Sequence, residues 1–329
     1  MHLYVSTAFP LPHFFHIIFL QSVEEPASFQ ADRINHLFNN FNIAAAAMLL
    51  LVIVLTVWFT VRFRQRRGDN TEGAPIEGNR NIEVFMIGIP VLLLVWFFYQ
   101  TVTVAHDVVP YARPKRPPDI IITGHQFWWE VNYPGKHVTT ANEVHLPVGR
   151  QLVMEMRSAD VVHDWWVPQL GNKMDLVPGV KNYLWLNIHE PGDYIGTCSE
   201  FCGEQHAWMR IRVVAQDSLD FNRWLDSNAV AASPPRDDLA RQGKDLFEVK
   251  SCANCHRING TSAAGTAGPD LTHVGSRSTI LTGMLETSEK NLTEWIEHPQ
   301  EIKHGAYMPE FLFAKDSIRA LAHYLEQLK

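Results

Sequence analysis

The chain has 329 residues, 46% of them hydrophobic, and a formal net charge of −7. That length has room for two or three domains, and the mild acidity lacks the basic surface of nucleic-acid binders, so no nucleic-acid partner is expected. Its four cysteines form two close pairs, 198/202 and 252/255. Both pairs have ligand-like spacing, so the arithmetic points to metal or cofactor chemistry rather than to structural disulfides.

Residues 1–24 contain the apolar run PLPHFFHIIFL. It reads as a signal h-region or a flexible N-terminus; a basic n-region is lacking, and removal of the segment stays open. Two uncharged stretches follow, 42–61 (NIAAAAMLLLVIVLTVWFTV) and 84–105 (VFMIGIPVLLLVWFFYQTVTVA). Each is close to the ~20 residues that a helix needs to cross a bilayer core. Residues 25–106 therefore read as a transmembrane helical hairpin, with Trp58 and Tyr99 near span ends as aromatic anchors. The intervening loop opens with Arg62, Arg64, Arg66 and Arg67. The positive-inside tendency places it in the cytoplasm, so both termini lie on the outer side. A multi-pass protein of the bacterial cell (inner) membrane is expected, with its large C-terminal part periplasmic or outside.

From 107 the pattern changes. QLVMEMR sets Leu152, Met154 and Met156 on one face, and YLWLNI alternates Leu184, Leu186 and Ile188. Turn signals such as VPGV and EPGDY separate short strands, so 107–217 reads as an all-β sandwich. Residues 218–238 carry a short helical patch, LDFNRWLDSN, and then AVAASPPRDD; the segment reads as a linker. Residues 239–329 turn helical and form a small α domain.

The stretch CSEFCGEQHAWM, 198–209, gathers Cys198, Cys202, His206 and Met209. Thiolates suit copper, zinc or iron–sulfur centres, and copper sites of the cupredoxin type place His, Cys and Met on one such loop, with a further His from an earlier strand. His163, in VVHDWWVP directly after an apolar strand, fits that upstream role. Two cysteines allow two copper ions to share bridging sulfurs. A CxxxC pair alone also fits a disulfide or a copper-carrying assembly chaperone; the added His and Met argue against both.

This loop resembles the copper A loop of cytochrome c oxidase subunit II. The resemblance runs over about 25–228 and includes GHQFWWEVNY (124–133), VVHDWWVPQLGNKMDLVPG (161–179) and the two preceding spans. It implies a cupredoxin-like domain over 107–217 and copper ligands His163, Cys198, Cys202, His206 and Met209, completed by the backbone carbonyl of Glu200. It further implies a magnesium site at the boundary with the catalytic subunit, reached by the Glu200 side chain and Asp175. Asp175 also reads as an ordinary turn carboxylate. Glu83, at the start of the second span, matches a family glutamate near a proton-uptake channel of the partner subunit; a carboxylate at a helix N-terminus is also plain dipole matching. Phe127 is a departure, since the family often has a tryptophan there that receives electrons from a soluble cytochrome.

CANCH, 252–256, is C-x-x-C-H, the attachment signature of c-type haem, with Cys252 and Cys255 as thioether residues and His256 as an iron ligand. No second C-x-x-C completes a zinc ribbon. The sixth ligand must come later in the chain, and Met308, in the loop GAYMPEF, is the candidate; Met284 reads as packing, and His273 and His304 rank below. The segment is similar to small class I cytochromes c, which implies that the Pro269 carbonyl, in GPDLTHVGSR, orients His256. A subunit II with a fused C-terminal cytochrome c domain resembles the caa-type haem-copper oxidases.

The expected function is electron input to a terminal cytochrome c oxidase, with oxygen reduction and proton translocation in a partner. No oxygen-reducing site is expected in this chain. The implied partners are catalytic subunit I, further membrane subunits, and an upstream donor such as a cytochrome c or a cytochrome bc complex. The rival is a membrane-anchored copper-delivery or redox-sensing protein, which needs an exchangeable CxxxC and no haem. A nitrous oxide reductase copper domain would bring a large His-rich catalytic domain.

Overall fold

The computed structural model describes residues 25–64, 68, 78–109 and 113–329. The segment 1–24, Arg66 and Arg67 lie outside the described residues. The described residues divide into an outer unit, 25–32 with 113–329, and a hairpin unit, 33–64, 68 and 78–109.

Helix α1 (Phe29–Arg62) and helix α2 (Arg80–Val108) supply the hairpin. At ~1.5 Å per residue both exceed the ~30 Å of a bilayer core. Their apolar side chains, such as Leu50, Ile53, Leu92 and Phe98, are exposed. Helices that are hydrophobic all round in this way belong in lipid. Asn79 caps α2 by accepting from the backbone N–H groups of Asn81 and Ile82. Polar contacts set the pairing of the two helices: Arg33 meets Asp107 at 2.6 Å, and Asn40 Nδ2 donates to Gln100 Oε1 at 2.9 Å. Phe41 packs edge-on against Phe97 between them.

The outer unit begins with a sandwich of two five-stranded sheets. Strands β1 (Ile120–His125), β2 (Trp128–Tyr133), β3 (Val138–Ala141), β5 (Leu152–Ser158) and β8 (Asn182–Leu186) form one, in the order β3-β2-β1-β5-β8. Strands β4 (Glu143–Pro147), β6 (His163–Trp166), β7 (Met174–Leu176), β9 (Gly192–Cys198) and β10 (Arg210–Gln216) form the other, in the order β4-β10-β9-β6-β7. The pairs β1–β5 and β4–β10 are parallel. Alternation along β10 sends Ile211, Val213 and Ala215 inward, where they join Ile122, Trp129, Met154, Leu146 and Trp165.

The segment 218–238, expected as a linker with a short helical patch, opens with a helix packed on the sandwich. Helix α3 (Ser218–Asn228) is capped by Asp217 and buries Phe221 and Leu225 in the sandwich core. Its Trp224 ring stacks on His145 at 3.9 Å. This helix covers the second face of β4, which is buried at every residue. The rest of the segment is tied down as well: Ala232 N donates to Asn259 O, and Ser233 Oγ to Lys329 O.

The C-terminal part holds α4 (Asp238–Val249), the single turn α5 (Cys252–Cys255), α6 (Glu289–Glu297), the short α7 (Pro299–Ile302) and α8 (Lys315–Glu326). Asp237 caps α4 and Ser288 caps α6. The apolar faces of α4, α6 and α8 meet in a separate core with Phe247, Leu292, Ile296, Leu321, Tyr324 and Leu325. A two-residue strand pair, β11 (Thr279–Ile280) with β12 (Leu285–Glu286), joins the two halves of this part.

Candidate metal and haem sites

His163 opens β6, Cys198 closes β9, and Met209 immediately precedes β10. A backbone bond from Cys198 N to Met209 O, 2.9 Å, closes the loop between the last two. The loop then curls so that His206 starts a 3-10 turn facing back towards the sulfurs.

The donor atoms converge. Cys198 Sγ lies 3.9 Å from Cys202 Sγ, 3.9 Å from His163 Nδ1 and 3.3 Å from the Glu200 carbonyl oxygen. Cys202 Sγ lies 3.8 Å from both His206 Nδ1 and Met209 Sδ. A disulfide requires sulfurs ~2.05 Å apart, so the two cysteines are free thiols. Cys198, Cys202, Met209 and His163 are all at most 3% exposed.

His163 Nε2 is 2.8 Å from Asp160 Oδ1. With Nε2–H donating to that carboxylate, the Nδ1 lone pair faces the sulfurs, as a metal-binding histidine requires. Asp160 escaped the sequence reading, although a carboxylate three residues before a candidate histidine was in view. The hydrogen bond with Cys202 and that with His163 hold the Cys198 thiol well below its ordinary value, and the Cys198 pairing together with burial pushes Cys202 up. Sulfurs this close shed the first proton readily and hold the second. Three sulfurs and two imidazoles in a buried cup are a soft donor set that fits copper.

Asp175 faces Asp164 across β6–β7. Burial, then Asp175, pushes the Asp164 carboxyl above the usual carboxylate range. The Glu200 side chain is exposed. Glu83 lies in the first turn of α2, also exposed, where a carboxylate suits the helix dipole.

In the C-terminal part, α5 presents Cys252 and Cys255 one turn apart and His256 follows. His256 Nδ1 is 2.8 Å from the Pro269 carbonyl oxygen. That oxygen can only accept, so Nδ1 carries the proton and Nε2 keeps a lone pair for a metal. Burial pushes the His256 ring below its ordinary value and keeps it neutral. Met308 and Cys252 border the same apolar cluster. Gln300, unnoticed in the sequence, fastens the methionine loop: its Nε2 donates to the Ala306 and Met308 carbonyls at 2.8 Å each, and its Oε1 accepts from Gly305 N. His273 is turned away, with Nε2 3.2 Å from Val230 O. A C-x-x-C-H turn, a neutral histidine with one free nitrogen and an apolar wall fit haem c.

The two sites share a boundary within the outer unit. Lys303, 4% exposed, donates from Nζ to Phe127 O and Thr282 Oγ1, 3.0 Å each. Burial pushes its amine down to about 7. Tyr307 OH donates to Gln126 Oε1 at 2.7 Å, and Gln126 Nε2 to Cys202 O at 2.6 Å. Gln205 Nε2 donates to His304 O.

A paired-sheet sandwich with a buried thiolate loop, a haem-attachment turn and two apolar helices define a membrane-anchored electron-transfer protein. Residues 18–100 match the family model of the cytochrome c oxidase subunit II transmembrane domain, 130–216 that of its periplasmic domain, and 240–329 that of cytochrome c. Cytochrome c oxidase subunit 2 of Alkalihalophilus pseudofirmus is 34% identical over 304 residues, covering 89% of this chain and 87% of that protein. The Bacillus subtilis protein of the same name is 29% identical over 334 residues, covering 94% and 92%. That of Bacillus sp. strain PS3 is 30% identical over 286 residues, covering 81% and 80%. The chain belongs to the cytochrome c oxidase subunit II family, in the form that carries its own cytochrome c domain. It is the electron-input subunit of a haem-copper oxidase complex and partners subunit I.

Proposed function

We propose that His163, Cys198, Cys202, His206, Met209 and the Glu200 carbonyl hold the dinuclear copper A centre. Cys252 and Cys255 bind haem c, with His256 and Met308 as iron ligands. When bound, the two groups supply one-electron chemistry at two places in one chain. The residues' part is to bind, orient and shield. Asp160 fixes the His163 imidazole and Pro269 that of His256, each through one ring nitrogen. The burial of both sulfurs keeps water from the copper donors, and a fixed cage limits the rearrangement that accompanies each change of charge.

The observation that carries this reading is the 3.9 Å separation of the two free thiols inside the ring of imidazole and thioether donors. The test is metal analysis of the purified oxidase together with optical and electron paramagnetic spectra. One low-spin haem c and a mixed-valence copper pair are expected in this chain; zinc, or no metal, overturns the assignment. The copper-delivery reading is disfavoured by cysteines 2% and 3% exposed, beyond the reach of an exchanging partner.

The finer elements of the reading follow from the family. The outer unit lies on the periplasmic or outer side of the bacterial cell membrane. The donor is a cytochrome c or a cytochrome bc complex, which delivers to the haem domain. Glu200 and Asp175 reach a magnesium ion at the subunit I boundary, and Glu83 stands at a proton-uptake channel of the partner. We place the copper domain at 113–228, including α3, and the cytochrome domain at 238–329, with an anchored connector between them.

A further inference from the structure

We propose that Lys303, Tyr307 and Gln126 form a docking bridge that seats the Met308 loop on the copper loop, with Gln126 as the positioning residue between the two centres. The role in electron transfer rests on the ligand assignment above; the docking rests on the contacts alone.

Three observations converge on it. First, Lys303 comes from the cytochrome part but is buried against the copper part, with its amine on the Phe127 carbonyl and Thr282 Oγ1. An amine in such a place costs free energy unless its hydrogen bonds are made, so it holds the two parts in one relation. Thr282 extends the contact, because its hydroxyl oxygen lies 2.5 Å from Trp208 O within the copper loop. Second, Phe127 is itself 7% exposed, and its ring centre is 6.3 Å from that of Tyr307. The chain's own methionine loop therefore occupies the surface around Phe127. Third, the bonds form an unbroken line. Met308 is covalently next to Tyr307, Tyr307 OH donates to Gln126 Oε1, and Gln126 Nε2 donates to the carbonyl of Cys202. Two hydrogen bonds and otherwise covalent bonds join the candidate iron ligand to a candidate copper ligand. With both groups bound, the transfer that this line would serve moves one electron and no proton: the haem iron would lose one electron and the copper pair would gain it.

The bridge predicts that docking is a persistent state rather than the result of a search by a tethered domain. The test uses the intact oxidase with Tyr307→Phe and Lys303→Met. Tyr307 is exposed, so loss of its hydroxyl leaves the fold intact and keeps the test independent of the Lys303 variant. Two readouts apply: amide hydrogen exchange over 203–208 and 303–308, and the flash-induced rate of haem-to-copper transfer. Each lost bond should raise exchange in both segments, and lower the transfer rate, by about tenfold. Haem and copper midpoint potentials should stay at wild-type values. Unchanged exchange and unchanged rate in Tyr307→Phe, with full haem and copper content, overturn the bridge. The exchange readout also runs on metal-depleted protein, so missing copper in the wild type would overturn the ligand assignment while exchange still decides the docking.

Discussion

Gly124 of β1 abuts the imidazole of His163 of β6: a Cβ on Gly124 would lie 2.7 Å from His163 Cδ2. The close approach needs a residue without a side chain, because His163 is also held by Asp160 on one side and faces Cys198 on the other. The prediction is that Gly124→Ala displaces this ring. Overpacking of this kind costs about 1–3 kcal/mol. Copper content per chain and the mixed-valence spectrum should both fall, while haem c content stays at one per chain.

Met209 separates packing from ligation. It is fully buried, with Sδ 3.8 Å from Cys202 Sγ. Met209→Leu keeps the volume, so the thermal midpoint of the outer domain should fall by no more than a ~1.5 kcal/mol change implies. The copper spectrum should change markedly, because the thioether is gone. An unaltered spectrum in a folded variant removes Met209 from the ligand set.

Gly268 plays the corresponding part at the haem site. A Cβ there would sit 2.6 Å from His256 Cε1. Gly268→Ala should leave both thioether bonds, since Cys252 and Cys255 are untouched, yet push His256 off the iron. The expected result is normal covalent haem by denaturing gel with a shift to high-spin absorption. Full low-spin absorption in this variant would contradict the placement of His256.

The stability of the cytochrome part should depend on pH through His323. Its ring lies 2.7 Å from Glu289 and 3.0 Å from Asp237, and these carboxylates, Glu289 first, raise its pKa above 6.5. A raised histidine contributes stability in full below 6.5 and loses it as pH climbs through the folded value. Asp237, held low by the Ala240 N–H and then by His323, contributes above 3.8 and loses its share on acidification. The thermal-midpoint difference between wild type and His323→Gln, followed by the haem spectrum, should be largest between these two values and shrink in alkali. A difference that stays flat from neutral to alkaline pH would refute the ion-pair account.

The convergence of the candidate copper donors was legible because four of these side chains fall within residues 198–209 and their types are chemically rare together. The haem turn was legible for the same reason. The supports were not. Asp160, Gln300 and Lys303 are common residue types at unremarkable positions, and they act only through partners brought near by folding. Helix α3 was half-legible: Phe221, Trp224 and Leu225 have the spacing of an apolar face, but the following AVAASPP favoured a linker. Its order comes from contacts with strand β4, and the stretch after it is held through Ser233 by Lys329.

By itself, the sequence carried the candidate metal donors and the two segments apolar enough to cross a membrane. Both are properties of short stretches, set by ligand chemistry and by the cost of placing charge in hydrocarbon. Tertiary structure decided where the haem part rests on the copper part. That choice depends on a buried lysine and a backbone carbonyl 176 positions apart, and only the folded chain brings them to 3.0 Å.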